Sequence, residues 1–366
     1  MTLFLIYKII LVVLVFAITM GVAAYSTYAE RKIAAFMQDR LGPNRAGPYG
    51  LLQPIADGMK FFFKEDFAPA DADKWLFVAG PSLAMLIALL TSAVIPWSTA
   101  LQLGGQSFPL QVTDLNIGVL YITGAVSIGV YGIMIGGWAS NNKFALLGAI
   151  RASSQMISYE IGMGIALIAI ILMSGSLSIH DIVTQQSGQL YEGWPIFSWL
   201  PNGTAWNIFY QPIGFIIFLV CAFAECNRTP FDLPECEQEL VGGYHTEYSS
   251  MKLGMFMFSE YVNMFVSSAL ISSLYFGGYS FPFMDASIFQ SSPNLLAFVG
   301  FCVLFAKILF FIFFFMWIRW TIPRFRYDQL MHLGWRVLMP LAIVNMLLTG
   351  LGVLGAPQLR AMLGWG

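Results

Sequence analysis

Long apolar segments recur along the whole chain and constrain its fold more than any other feature. A helix rises about 1.5 Å per residue, so about 20 apolar residues cross the roughly 30 Å hydrocarbon core of a bilayer. Only 10% of the residues are charged, against about a quarter in soluble domains. The sequence therefore predicts an all-α, polytopic membrane protein with a single membrane domain over residues 1–366. The eight predicted spans are Leu3–Tyr25, Trp75–Trp97, Asn116–Trp138, Ser154–Met173, Phe209–Ala224, Lys252–Phe276, Leu295–Ile318 and Val337–Leu354.

Basic residues indicate how these spans are oriented. Fifteen of the 18 Lys and Arg residues lie in or directly beside the loops at about 27–74, 139–153, 225–251 and 319–336. Loops rich in Lys and Arg face the cytoplasm. We therefore expect these four loops on the cytoplasmic side, or its organellar equivalent, and both termini outside. The first apolar segment exceeds the roughly 7–15 residues of a signal-peptide core, which predicts a retained span.

The first cytoplasmic loop contains a turn followed by a helical pattern. The prolines and glycines of QDRLGPNRAGPYG, residues 38–50, interrupt any helix. The next residues alternate with helical spacing between an apolar and a polar face, which predicts an amphipathic helix at the membrane surface. A simple membrane anchor is the alternative interpretation. The apolar face has Leu51, Ile55, Met59 and Phe62, and the polar face Gln53, Asp57, Lys60 and Lys64.

Acidic residues are concentrated in one stretch, AECNRTPFDLPECEQELVGGYHTEY, residues 224–248. Crowded carboxylates cannot all ionise cheaply, so some should hold protons near neutral pH and titrate together. This favours a proton-handling site, and the alternative is a solvated acidic loop that awaits a basic partner. The stretch contains Glu225, Asp232, Glu235, Glu237, Glu239 and Glu247, with Arg228 as its only basic residue apart from His245.

Three ionisable residues lie inside predicted spans, namely Glu160, Glu260 and Lys307. Charge is costly in the hydrocarbon, so such residues are functional candidates by default. Together with Glu225, the two glutamates would form a polar route that leads inward from the acidic stretch. The alternative is a structural Glu–Lys pair that holds helices together.

Other site classes find little support. The four cysteines form no C-x-x-C pair and the three histidines are far apart, so no iron–sulfur or haem site is expected within the chain. The net charge of −2 and the scattered basic residues give no indication of nucleic-acid binding. Gly132-x-x-x-Gly136, and Gly162 with Gly164, predict surfaces where helices approach closely.

Four long segments carry a resemblance to a known family. They are ERKIAAFMQDRLGPNRAGPYGLLQPIADGMKFFFKE, GWASNNKFALLGAIRASSQMISYE, AECNRTPFDLPECEQELVGGYHTEYSSMK and WIRWTIPRFRYDQLMHLGW. In this order they resemble the cytoplasmic or matrix-side motifs of the H subunit of bacterial respiratory complex I, called subunit 1 in mitochondria. The resemblance implies an eight-helix heel subunit of the proton-pumping NADH:quinone oxidoreductase. Such a subunit forms the membrane side of the quinone chamber and couples quinone reduction to proton translocation.

The resemblance also implies roles for individual residues, with no catalytic redox centre and no metal ligand in this chain. The quinone chamber would involve Glu30, Arg31, Asp57, Lys60, Glu65, Arg228 and Asp232. The proton route would involve Glu160, Glu225, Glu235, Glu237, Glu239, Glu247 and Glu260. Docking of the hydrophilic arm would involve Arg319, Arg324, Arg326 and Asp328.

The same resemblance implies cofactors, partners and a location. Quinone, either ubiquinone or menaquinone, would be the substrate, with no covalently bound cofactor, and flavin and iron–sulfur clusters would belong to partner subunits. The partners would be the hydrophilic-arm quinone-site subunits, neighbouring membrane-arm subunits and the lipid bilayer. The expected location is the bacterial inner membrane, with the mitochondrial inner membrane as the alternative.

Two other functions compete with this interpretation. A membrane-bound hydrogenase complex has a heel subunit of the same superfamily that meets no quinone. A stand-alone proton-coupled transporter would also place acids in helices, but it does not require elaborate loops on one side only.

Overall fold

The computed structural model describes residues 2–103, 105–187, 205–232, 241–281, 284, 289 and 291–363. The described part is predominantly helical. Its α-helices are α1 (Thr2–Met37), α2 (Gln53–Phe63), α3 (Lys74–Thr91), α4 (Gly118–Ala139), α5 (Lys143–Ser174), α6 (Ile179–Gln185), α7 (Asn207–Tyr210), α8 (Pro212–Glu225), α9 (Ser250–Tyr275), α10 (Pro293–Thr321), α11 (Tyr327–His332) and α12 (Met339–Leu363).

Several short elements connect these helices. Turns of 3-10 helix cover Pro48–Gly50, Ser92–Val94 and Gly243–His245, and a π-helical segment, Leu333–Leu338, joins α11 to α12. Two antiparallel strands, β1 (Leu101–Leu103) and β2 (Gln106–Phe108), pair with Leu101 opposite Phe108.

Six of the described helices are long and apolar enough to cross a membrane, which confirms a polytopic, all-α membrane protein. These candidate spans are Phe4–Met37, Lys74–Val94, Gly118–Ala139, Lys143–Ser174, Pro293–Thr321 and Tyr327–Gly355. The predicted fifth span falls on α8, whose 14 residues extend over only about 21 Å. The predicted sixth span falls on α9, which has the length but is not among the six. The count of eight spans stays a prediction.

Two helices extend beyond the predicted spans. Helix α1 continues to Met37 rather than ending at Tyr25, so the first loop begins later than residue 27. Its last residues, ERKIAAFM, contain good helix formers and neither glycine nor proline. Helix α5 begins at Lys143, eleven residues before the predicted span, because the side chain of Asn142 caps it by accepting a hydrogen bond from the backbone N–H of Phe144.

The outer surface of the bundle is apolar. On α1, Leu5 and Val13 are each 62% exposed and Ile10 is 58% exposed. Soluble proteins rarely leave such a continuous apolar face in water. This surface therefore fits contact with lipid or with apolar helices of a partner.

Helices α3 and α4 pack closely through glycines. A Cβ atom added at Gly80 would lie 2.9 Å from the Cα of Gly136, and one added at Gly132 would lie 2.9 Å from the carbonyl oxygen of Gly80. The predicted close approach at Gly132 and Gly136 is confirmed. At Gly162 a Cβ atom would make only an ordinary contact with Cys221 Sγ, and at Gly164 it would meet no atom within 4 Å.

Lys307 stabilises the end of α9. Its Nζ atom donates to the carbonyl oxygens of Phe276, Gly278 and Ser280 at 2.7, 2.7 and 2.8 Å. Carbonyl groups that follow a helix C-terminus lack helical partners, and a cation there satisfies them. The alternative of a structural Glu–Lys pair is therefore wrong, because Lys307 binds backbone carbonyls rather than Glu160 or Glu260.

We expect Gly132→Ala to destabilise the protein by about 1–3 kcal/mol, because the added methyl group overpacks the contact between α3 and α4. The matched control is Gly124→Ala on the same helix, where a Cβ atom would meet open space. Thermal unfolding of the purified protein in detergent measures both effects. Equal melting temperatures for the two variants would contradict this packing.

Candidate functional site

A cluster of buried charges lies where α1, α9 and α10 meet the segment after α8. Arg228 Nη1 is 3.5 Å from Glu30 Oε2, and Arg228 Nη2 is 3.8 Å from Glu260 Oε2. Arg319 Nη1 lies 2.8 Å from the other oxygen of Glu30, Oε1. The Tyr261 hydroxyl donates to Glu30 Oε2 at 2.9 Å, and the Arg228 guanidinium lies 4.0 Å from the centre of the Tyr261 ring. We call these five residues the Arg228 cluster.

The Arg228 cluster balances its own charge. Glu30, Arg228 and Glu260 are each less than a tenth exposed, and an unpaired charge at such a depth costs several kcal/mol. Two arginines facing two carboxylates remove most of that cost. Because the members come from α1, α9, α10 and the loop after α8, the pairing also fixes the relative positions of these four segments.

Two tyrosines attach the described end of the acidic stretch to the bundle. The Tyr244 hydroxyl donates to Glu260 Oε1 at 3.1 Å, which extends the cluster toward Gly243–His245. The Tyr248 hydroxyl donates to the carbonyl oxygen of Gly136 at 3.1 Å, and its ring stacks on Phe77. Burial raises the pKa of the Tyr248 hydroxyl above its usual value, so this donor keeps its proton at neutral pH.

The third and fourth cytoplasmic loops of the prediction meet at a second ion pair. Arg324 Nη2 lies 3.2 Å from Oδ2 of the buried Asp232, and the backbone N–H of Phe325 donates to the carbonyl oxygen of Pro230 at 3.3 Å. By contrast, Arg326 and Asp328 pair at 3.6 Å in an exposed position, where an ion pair contributes little stability. Arg324 is thus engaged internally, and Arg326 and Asp328 lie on the surface.

The loop after α1 is joined to the cluster through one ion pair. Arg31 Nη1, next to Glu30 in sequence, lies 2.8 Å from Asp57 Oδ2 on α2. The structure places Lys60 and Glu65 on the exposed surface of this region, away from the Arg228 cluster. Their assignment to a quinone chamber stays a prediction.

The deeper carboxylates occupy three separate positions. Glu225 is buried at the end of α8. Glu160 on α5 accepts a hydrogen bond from the Ser127 hydroxyl of α4. Glu247 instead accepts one from the side-chain amide of Asn142 at 2.6 Å, at the start of α5. The predicted site residues Glu235, Glu237 and Glu239 lie outside the described residues.

The neutral members of this site were not identified from the sequence. Tyr244, Tyr261 and Ser127 carry no charge, and neither composition nor spacing distinguishes them from other residues of the chain. A tyrosine directly after Glu260 was the available signal for Tyr261. Among the described residues, no group of three or more His, Cys, Asp or Glu side chains is arranged to hold a metal ion.

Comparisons with known proteins confirm the resemblance. The sequence model of the NADH dehydrogenase family matches residues 9–350. The chain is 60% identical to the first H subunit of the NADH-quinone oxidoreductase of Cytophaga hutchinsonii over 351 residues, which cover 96% of this chain and 98% of that protein. It is 59% identical to the corresponding H subunit of Flavobacterium psychrophilum, with the same coverage, and 48% identical to NADH-quinone oxidoreductase subunit 8 of Rhodothermus marinus, with 90% of this chain and 92% of that protein covered. The chain therefore belongs to the NADH dehydrogenase family, the family of these oxidoreductase subunits.

Proposed function

We propose that this chain is the membrane-arm heel subunit of a proton-pumping NADH:quinone oxidoreductase and forms the membrane side of its quinone chamber. The observation that carries the proposal is the Arg228 cluster, a buried set of paired charges at one end of an apolar bundle. Family membership over nearly the whole chain supports it. NADH, flavin and iron–sulfur clusters then belong to partner subunits, and this chain supplies the surroundings of the quinone.

A quinone needs an oily path to a polar end, because its tail is apolar and its head takes up two electrons and two protons. A groove of about 320 Å³ between α1 and α10 supports this path. Its lining is almost entirely apolar and includes Ala29, next to Glu30, and Met316, one turn before Arg319. In our proposal the quinone enters from the bilayer and its head is reduced near the charges that follow this groove.

Reduction of the head changes the charge beside the Arg228 cluster. Two unit charges 4 Å apart interact by about 4 kcal/mol at the effective dielectric constant near a protein surface, and a pKa shift of one unit corresponds to about 1.4 kcal/mol. One new negative charge is therefore sufficient to redistribute protons among neighbouring carboxylates. The change passes from Glu30 through Arg228 to Glu260, and then to Glu225 and Glu160. Glu235, Glu237 and Glu239 supply the loop end of this route.

The internal ion pairs refine the proposed docking of the hydrophilic arm. Arg319 and Arg324 are engaged with Glu30 and Asp232, so their charges hold the loops in position. The exposed Arg326 and Asp328 are the members left to contact the hydrophilic-arm quinone-site subunits. Neighbouring membrane-arm subunits and lipid cover the apolar faces of the bundle.

We further propose that the chain has eight spans and lies in the bacterial inner membrane with both termini outside, and that α2 lies at the membrane surface. The apolar side chains Ile55, Met59 and Phe62 of α2 are more than half exposed, as a helix that rests on lipid requires. Ubiquinone and menaquinone both fit an apolar groove, so the quinone is assigned by class only.

We expect Arg228→Gln to lower NADH:quinone reductase activity at least about tenfold, because loss of a buried ion-pair partner costs about 3–5 kcal/mol and leaves Glu30 and Glu260 facing each other. Oxidation of NADH by a hydrophilic electron acceptor should remain unchanged, since that reaction needs only the partner subunits. The matched control is Lys143→Gln at an exposed position, which should leave both activities within twofold. Unchanged quinone reduction in Arg228→Gln, with normal assembly, would contradict the proposal.

We expect Glu160→Gln to reduce proton pumping more than complex assembly, because the amide keeps the contact with Ser127 but carries no ionisable proton. The measurement is proton uptake per NADH oxidised in liposomes that contain the purified complex. Ser127→Ala is the companion variant, which removes the hydroxyl contact and keeps the acid, and it should retain most of the pumping. Normal proton transport in Glu160→Gln would remove this residue from the route.

A further inference from the structure

Two small cavities meet inside the bundle at Glu225 and Asn263. One encloses about 20 Å³ and reaches Glu260 and Tyr244, and we call it the inner cavity. The other encloses about 30 Å³ and reaches Leu270 and the far end of α9, and we call it the outer cavity. Val126, Glu225 and Asn263 line both. Each volume exceeds the roughly 10–15 Å³ that one water molecule occupies in a cavity measured in this way.

The inner cavity has the polar groups that hold water. Besides Glu225 and Asn263, its lining includes the side chains of Asn227, Tyr244, Ser259 and Glu260. Glu225 Oε2 is fully buried and has no hydrogen-bond partner among the described residues. The Asn263 amide likewise makes no hydrogen bond within the part of the chain that the structure describes. Buried polar groups without protein partners bind ordered water, so the inner cavity is a hydrated space.

The outer cavity has the opposite character. Beyond Glu225 and Asn263 its lining is apolar except for Thr123 and Ser267. The Thr123 hydroxyl is already engaged with carbonyl oxygens of its own helix, and the Ser267 hydroxyl lies 3.5 Å from Cys226 Sγ. Apolar cavities of this kind stay dry. A dry apolar constriction blocks ions even where the space is open.

The two cavities follow each other along the direction of α9. This helix begins at Ser250, beside the acidic stretch, and ends at Tyr275. Leu270 and Leu274 lie seven and eleven residues beyond Asn263, which places them about 10 and 16 Å further along the axis. The outer cavity thus extends from Glu225 toward the face opposite the charged loops.

We propose that Glu225 and Asn263 mark the end of a hydrated passage, and that the outer cavity is a dry barrier that prevents protons from crossing this chain to the opposite face. This inference rests on the proposed proton-handling function. Protons that reach Glu225 then leave sideways toward Glu160, which is close enough to Glu225 to interact with it electrostatically. Asn263 acts as a positioning residue, because its amide orients the last water of the passage but offers no proton of its own.

Leu270→Asn tests the barrier, because it places an amide of nearly the same size in the outer cavity. In liposomes that contain the purified complex without substrate, we expect this variant to dissipate an imposed pH gradient at least about fivefold faster, since a hydrated gap conducts and a dry one does not. Two controls accompany it. Leu270→Met keeps the cavity apolar, and Leu86→Asn places the same amide on an exposed face of α3. Both should stay within twofold of the unmodified complex. A Leu270→Asn complex as tight as Leu270→Met overturns the barrier.

Asn263→Leu and Asn263→Ser test the boundary. We expect Asn263→Leu to lower proton uptake per NADH oxidised about tenfold and to remove internal-water O–H bands from the redox-induced infrared difference spectrum, because an apolar lining expels water. Asn263→Ser should keep the bands and most of the uptake. A merely structural role for Asn263 would leave the water bands of the assembled Asn263→Leu complex unchanged, and that result overturns the assignment.

The result for Glu160→Gln separates this inference from the proposed function. If Leu270→Asn leaks while Glu160→Gln pumps normally, the barrier stands and the proposed lateral route fails. If Glu160→Gln loses pumping while Leu270→Asn remains tight, the proposed function stands and the barrier is overturned.

Discussion

The need to pair buried charges governs the arrangement of this protein. Arg228 and Glu30 lie at the edge of an apolar bundle, and each would cost several kcal/mol if it were left alone at that depth. The ion pairs with Glu260 and Arg319 offset that cost only when α1, α9, α10 and the loop after α8 are in register. Segments that are distant in sequence are thereby held at one face of the bundle, where Asp232 and Arg324 add a second pair.

The two ends of the bundle solve different physical problems. At the charged end, carboxylates and guanidinium groups meet in geometries that respond to a new charge nearby. At the other end, Lys307 satisfies three carbonyl oxygens after α9, which is a fixed structural task. Between them, the interior changes from a polar cavity at Glu260 to an apolar one at Leu270. This gradient allows one end to move protons while the bundle remains an insulator across its thickness.

The sequence predicted the fold class and the charged residues of the site because both depend on strong, local signals. Apolar runs of about 20 residues, and acids such as Glu160 and Glu260 within them, stand out from their surroundings. The partner of Lys307 was predicted wrongly, since backbone carbonyls at a helix end leave no trace in the sequence. Tyr244, Tyr261 and Asn263 could not be predicted, because their roles arise only when distant helices pack. Helix α8 also shows that a short apolar run does not by itself establish a span.

The central claim is that the charged loops and the Arg228 cluster share one face of the membrane, opposite the segment that contains α6. The most direct test is labelling of single cysteines with a membrane-impermeant maleimide in oriented vesicles, in a background that lacks Cys236 and the exposed Cys302. Lys143→Cys reports on the charged face and Asp181→Cys on α6, and both positions are exposed. We predict that residue 143 reacts only from the side that oxidises NADH and that residue 181 reacts only from the other side. Reaction of both residues from the same side would contradict the account.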